Sequence, residues 1–159
     1  GCAVAVAFMR LRPPVVGFNV PVAYSGRGDD QSRTHTRWPT VGVTERFTRR
    51  PAEVWDRLVD TTAWPEWGPS VAAVESDERR VHAGTTGRVR VSGVGVWVPF
   101  EVTSRDWNGR RGRWTWRVAR IPATGHAVAP VSGGSQVSFE VPVAAVAYIP
   151  VCRLALARL

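Results

Sequence analysis

Residues 41–48 read VGVTERFT, and Val41, Val43, Glu45 and Phe47 fall on one face of an alternating stretch. A period of two predicts a half-buried strand. The pattern then changes. Pro51 stands where a first helical residue belongs, Glu53 and Asp56 occupy early turns that suit the helix dipole, and Val54, Trp55, Leu58 and Val59 make one apolar face. Asp60 and Thr61 end that helix or cap the next turn. Pro65 limits any second helix to a few residues, which carry Trp64 and Trp67.

Alternation returns at Val71 and persists to Val143. The predicted strands are Val71–Asp77, Thr86–Val91, Val94–Trp107, Gly112–Ile121, Gly125–Val131 and Ser135–Val143. The segments between them (HAG, SGVG, WNGRRG, IPATG, SGGS) carry turn residues, and connections this short require antiparallel neighbours. Residues 144–159 predict an apolar, alanine-rich helix in which Pro150 lies in a first turn or introduces a kink. The order is strand, two short helices, six strands and a terminal helix, which is an α+β pattern. So little helix covers such a sheet only if the sheet curls around the terminal helix. A curled sheet around one helix leaves an interior pocket.

Those elements, with the stretches RRPAEVWDRLVDTTAWPEWGP, AGTTGRVRVSGVGVWVPFEVT, GRWTWRV and TGHAVAPVSGGSQVSFEVPV, resemble the START-like superfamily, in its bacterial polyketide cyclase/dehydrase and lipid-transfer branch. The resemblance runs from Val41 to the C-terminus. It implies a helix-grip fold: a curled seven-stranded antiparallel sheet wrapped on a C-terminal helix, with two short helices after the first strand. It further implies that those helices close one end of a cavity, with Trp64 and Trp67 half in the core and half at its mouth. Relatives often continue the terminal helix for further turns, and a shorter one would leave the pocket more open. The implied function is binding of a hydrophobic small molecule, such as a lipid, polyketide or isoprenoid. The alternative on the same scaffold is a polyketide cyclase or dehydratase working by general acid–base catalysis.

Composition narrows the partners. All 21 basic residues are arginine and the net charge is +8. The arginines are spread along the chain, as a GC-rich coding bias produces, so no nucleic-acid partner is expected. In RDWNGRRGRWTWR the strand alternation puts Arg and Trp on opposite faces, so stacking and phosphate contact would point in opposite directions. The longest apolar run, residues 141–151, is broken by Pro142 and Pro150, and no stable membrane insertion is expected. Cys2 and Cys152 suggest neither a disulfide framework nor a metal site, and a reducing cytoplasm is the expected compartment. Residues 1–40 lack any sustained period and read as a poorly ordered extension ahead of a domain at 41–159.

The sequence contains no phosphate-binding glycine loop, HExxH, CxxC or GxSxG, and no cofactor is expected. His35 lies in the extension, and His82 sits in a turn beside Arg79 and Arg80, where it should be solvated. His126 shares a strand face with Val128 and points toward the pocket if the valine does. There it is either an acid–base group or a polar side chain bonded within the sheet. Val98 and Phe100, Trp114 and Trp116, and Phe139 fall on core-facing positions of their strands, and with Trp64, Trp67, His126 and Tyr148 they form the expected pocket lining.

Overall fold

Each period-two stretch pairs with a neighbour to make one open antiparallel sheet. The computed structural model describes residues 40–142, 147 and 149–159. Tyr148 and the expected extension up to residue 39 lie outside the described residues. The elements are β1 (Thr40–Phe47), α1 (Pro51–Val59), a 3-10 turn (Thr61–Ala63), α2 (Trp64–Trp67), β2 (Val71–Glu75), β3 (Thr86–Val91), β4 (Trp97–Trp107), β5 (Gly112–Val118), β6 (Ile121–Pro122), β7 (Gly125–Val131), β8 (Gly134–Pro142) and α3 (Ile149–Arg158). Along the sheet the order is β1-β8-β7-β5-β4-β3-β2, and β6 pairs only with β5. The path has the seven strands that the sequence predicts, with β6 as a two-residue addition.

The differences have local causes. The strand expected to run from Gly112 to Ile121 breaks after Val118, because Ala119 (φ 51°) and Arg120 (φ 67°) adopt left-handed conformations. Val118 and Ile121 then pair across a two-residue turn. β4 begins at Trp97 rather than Val94. The turn before it uses positive φ at Gly93 and Gly95 and leaves Val94 and Val96 exposed. Within β4 the register slips between Val102 and Ser104. Ahead of that bulge Val98, Phe100 and Val102 face inward. Beyond it Arg105 pairs opposite the buried Trp114, and Trp107 pairs opposite Gly112. One extra residue thereby carries Trp107 to the core side. The terminal helix is described over Ile149–Arg158, with Pro150 as its second described residue; the rest of the helix expected from Ala144 includes positions outside the described residues.

Helix α1 buries Val54, Trp55, Leu58 and Val59, as its pattern predicts. Trp55 lies parallel to Trp107 with ring centroids 4.9 Å apart. Gly112 permits that stack, since a Cβ there would stand 2.6 Å from atoms of both rings. Helix α3 packs against α2, β1 and β8 and buries Cys152, Ala155 and Leu156.

Candidate functional site

Both tryptophans of α2 are drawn back beneath the end of α1. Asp60, in an extended conformation, reverses the chain, and its carboxylate accepts hydrogen bonds from the Thr62 amide (3.0 Å) and hydroxyl (2.6 Å). Burial pushes the Asp60 pKa up, but bonds from Arg79 and Thr62 outweigh it and hold the carboxyl below its ordinary value. After this turn the Trp64 indole donates to the Leu58 carbonyl (3.1 Å) and the Trp67 indole to the Arg57 carbonyl (3.2 Å). Carbonyls in the last turn of a helix have no partner within it, so the two indoles cap α1 while burying their rings. Trp64 and Trp67 are only 1% and 5% exposed, which corrects the expectation that they sit half at a mouth. The indole N–H, which would otherwise hold one edge in water, has a partner inside.

Strand pairing assembles the rest of the site. His126 lies opposite Trp114 on one side and Phe139 on the other. Trp64 stacks on Trp114 (5.4 Å, 6°), and Trp114 stacks on His126 (4.2 Å, 17°). Phe139 meets the imidazole edge-on at 4.6 Å. Beside this column is a cavity of about 30 Å³. Its wall is completed by Trp67 and Trp116, the Gly68–Val71 segment, Thr124, and Val151, Cys152 and Ala155 of α3. The expected pocket exists, but aromatic side chains fill most of it. The remaining space suits one or two waters.

The electrostatics of the cavity are those of a neutral chamber. Burial, and secondarily the Arg113 guanidinium, depress the His126 pKa to about 3. Stacking on Trp114 would favour an imidazolium by about 1–2 kcal/mol, yet desolvation wins. Burial likewise raises the Cys152 thiol to about 11. His126 Nε2 lies 3.3 Å from the Thr124 hydroxyl, which accepts a 3.4 Å hydrogen bond from the Trp116 indole. His126 Nδ1 and Trp114 Nε1 are buried without a hydrogen-bond partner among the described residues. No charged side chain among the described residues lines the cavity. No group of His, Cys, Asp and Glu among the described residues is arranged to hold a metal ion.

Of the expected lining, Trp64, Trp67, Trp114, Trp116, His126 and Phe139 come together around the cavity. Phe100 stands behind them, 5.3 Å from Trp64 and 5.8 Å from Trp116, and supports the wall rather than forming it. Val98 is buried but belongs neither to the lining nor to the central core cluster. Thr124 and Cys152 were missed. Thr124 carries a readable signal, since it shares the parity of His126 and Val128 just ahead of β7. His82 is exposed as expected, yet its ring is held between Glu78 Oε1 (2.6 Å) and the Ala83 carbonyl (2.9 Å). Those two contacts, the carbonyl foremost, raise its pKa.

A terminal helix held against an open antiparallel sheet, with an uncharged cavity between them, defines a helix-grip protein of the START-like superfamily. The chain belongs to the family described as polyketide cyclase/dehydrase and lipid transport, which it matches over residues 39–155. Solved structures share the fold at low identity. Protein jhp0584 from Helicobacter pylori is 13% identical with a TM-score of 0.60, covering 81% of this chain and 96% of its own. Protein CV1439 from Chromobacterium violaceum is 19% identical with a TM-score of 0.54, covering 75% and 93%. A protein from Nitrosospira multiformis is 16% identical with a TM-score of 0.54, covering 76% and 92%. No curated protein matches the sequence.

Proposed function

We propose that the protein binds a hydrophobic small molecule of lipid, polyketide or isoprenoid type in the cavity between α2, the sheet and α3. The observation that carries this reading is the chemistry of the wall: among the described residues it has five aromatic side chains, one neutral imidazole and no charge. A mostly apolar concave site with a few placed polar groups is what a small-molecule site requires. A ligand of that kind is larger than the free space of about 30 Å³ and displaces part of the wall as it binds. The family name also covers cyclases and dehydrases. Acid–base turnover on a poly-ketone works best with a catalytic pKa near the operating pH, whereas His126 at about 3 is a neutral, weakly basic group. Binding is therefore the better reading of this site.

Several arginines are engaged on the surface, among them Arg88 with Glu75, Arg113 with Glu140 and Arg79 with Asp60. That favours a dispersed basic surface over a nucleic-acid stripe. No helix among the described residues is long and apolar enough to cross a membrane. A reducing cytoplasm suits the free thiol of Cys152. The test is mass spectrometry of small molecules released by denaturing the freshly purified protein. We expect one apolar compound near equimolar ratio, strongly reduced in Trp67→Ala. Absence of any such compound, together with no uptake of apolar fluorescent probes, would refute the reading.

A further inference from the structure

We infer that the β3–β4 and β5–β6 turns form one surface that docks reversibly on an anionic lipid bilayer. The contact is peripheral, and it stands on exposed side chains, whatever the cavity holds. Among the described residues five large apolar side chains are exposed, and three of them, Val94 (67%), Val96 (46%) and Ile121 (54%), lie in or beside these two turns. Exposed apolar residues scattered singly are ordinary, but their concentration at one end of a sheet marks a contact surface. The two turns do share an end. Antiparallel pairing brings the C-terminal ends of β3 and β5 beside the N-terminal end of β4. The Ala119 amide, in the β5–β6 turn, donates to the Pro99 carbonyl of β4 (2.9 Å).

The β3–β4 tip is built to hold its valines outward. Val94 stands between Gly93 and Gly95, whose positive φ (83° and 69°) folds the backbone tightly. The Val91 amide donates to the Val96 carbonyl and the Gly95 amide to the Val91 carbonyl, both at 2.9 Å, and these bonds close the turn. Arg90 Nε donates to the Gly95 carbonyl (3.4 Å), so a cation flanks the valines. Behind them Trp97 is half-buried, with the Arg88 guanidinium 5.1 Å from its ring centroid. An apolar tip backed by an indole and arginines suits a bilayer's tails, interface and anionic headgroups in that order.

Charge complementarity sets the sign of the surface. Residues 89–97 and 118–123 hold Arg90 and Arg120 and no Asp or Glu. Neither arginine belongs to an ion pair among the described residues. Arg88 and Arg117 add less, since Arg88 is paired with Glu75 and Arg117 stands opposite Glu101 in the strand register. A nucleic-acid backbone would use the arginines but leave the valines and isoleucine in water. The surface also adjoins the cavity. The Ser92 amide donates to the carbonyl of Ser70 (3.0 Å), which lies in the Gly68–Val71 lining segment, and the lining residue Thr124 follows β6 closely. Docking would set that end of the cavity against the bilayer.

Flotation of the full chain with vesicles tests this. Vesicles of phosphatidylglycerol and phosphatidylcholine in equal parts should bind it at about 50 mM salt. Pure phosphatidylcholine, or about 500 mM salt, should weaken binding at least about tenfold. The double variant Val94→Ser, Val96→Ser should bind about tenfold more weakly, and Arg90→Gln with Arg120→Gln about tenfold more weakly. Leu154→Ser, which alters an exposed apolar residue of α3, should bind as the wild type does. Circular dichroism checks folding, and the single variants replace any pair that does not fold. No binding to the anionic vesicles, binding unchanged by the valine variants, or a loss in Leu154→Ser overturns the inference. Tighter binding to duplex DNA than to the vesicles, or a dimer that the valine variants dissociate, overturns it too, since each names a different occupant. Mass spectrometry of released compounds reads the cavity separately, so the ligand reading and this one can fail independently.

Discussion

Acidification from pH 7 to pH 5 should destabilise this protein chiefly through one residue, His126. The His126 pKa is about 3 in the folded chain against an ordinary value of 6.5. Between those values the unfolded chain holds more protons than the folded one, so stability falls as the pH drops through the window. The loss at His126 is about 2 kcal/mol by pH 5 and approaches about 4–5 kcal/mol near pH 3. Other groups act in the same experiment. His82, with its raised pKa, contributes stability at acidic pH that is lost as the pH rises through its folded value, which opposes the trend. Glu53, Asp60 and Glu78 have lowered pKa values and lose stability only as the pH falls toward theirs, mostly below pH 5. Comparison with His126→Gln cancels these terms. Urea unfolding followed by tryptophan fluorescence at pH 7, 6 and 5 measures the difference. With a slope of about 1–2 kcal/mol per molar, the wild-type midpoint should fall by about 1–2 M more than that of the variant. Parallel pH profiles for the two proteins would show that His126 is not held neutral by its surroundings, and the argument would be wrong.

Trp67→Phe keeps a ring but leaves the Arg57 carbonyl uncapped, and should cost about 1–2 kcal/mol; Trp67→Ala should cost about 3–5 kcal/mol. A neutral Trp67→Phe would show that the cap adds nothing. Gly112→Ala drives a methyl into the Trp55–Trp107 stack and should cost about 1–3 kcal/mol, with loss of the tryptophan signal in near-ultraviolet circular dichroism; an unchanged spectrum would contradict the packing. Asp60→Ala removes the cap of the 3-10 turn, at about 1 kcal/mol, read as a melting temperature lower by roughly 4 °C. Removing residues 1–39 should leave the melting temperature nearly unchanged, as expected of a segment without a sustained period.

Most of the sheet was legible because its strands keep the period of two wherever one face is buried: β1, β7 and β8 begin or end within a residue of their expected limits. The failures fall where geometry departs from that period. Ala119 and Arg120 make a left-handed turn without the Asn or Gly that would announce it. At the β4 bulge one added residue moves Trp107 to the opposite face, and no propensity marks Thr103 as the place. For the site, alternation within single strands was enough to group Trp114, Trp116, His126 and Phe139. It gave no sign of how full the chamber is, because free volume depends on how side chains from six elements interlock. The depression of the His126 pKa was equally hidden. The sequence placed the imidazole facing inward, but only three-dimensional burial sets its charge.

The two indole caps have a consequence for traffic into the cavity. Because Trp64 and Trp67 are tied to the backbone of α1, α2 cannot swing outward without exposing two carbonyls and two large rings at once. That side is a fixed jamb. The opposite wall is α3, which meets the cavity through Val151, Cys152 and Ala155, small side chains that slide with little loss of contact. On contact alone, a displacement of α2 would therefore cost more than an equal displacement at the α3 face of the cavity.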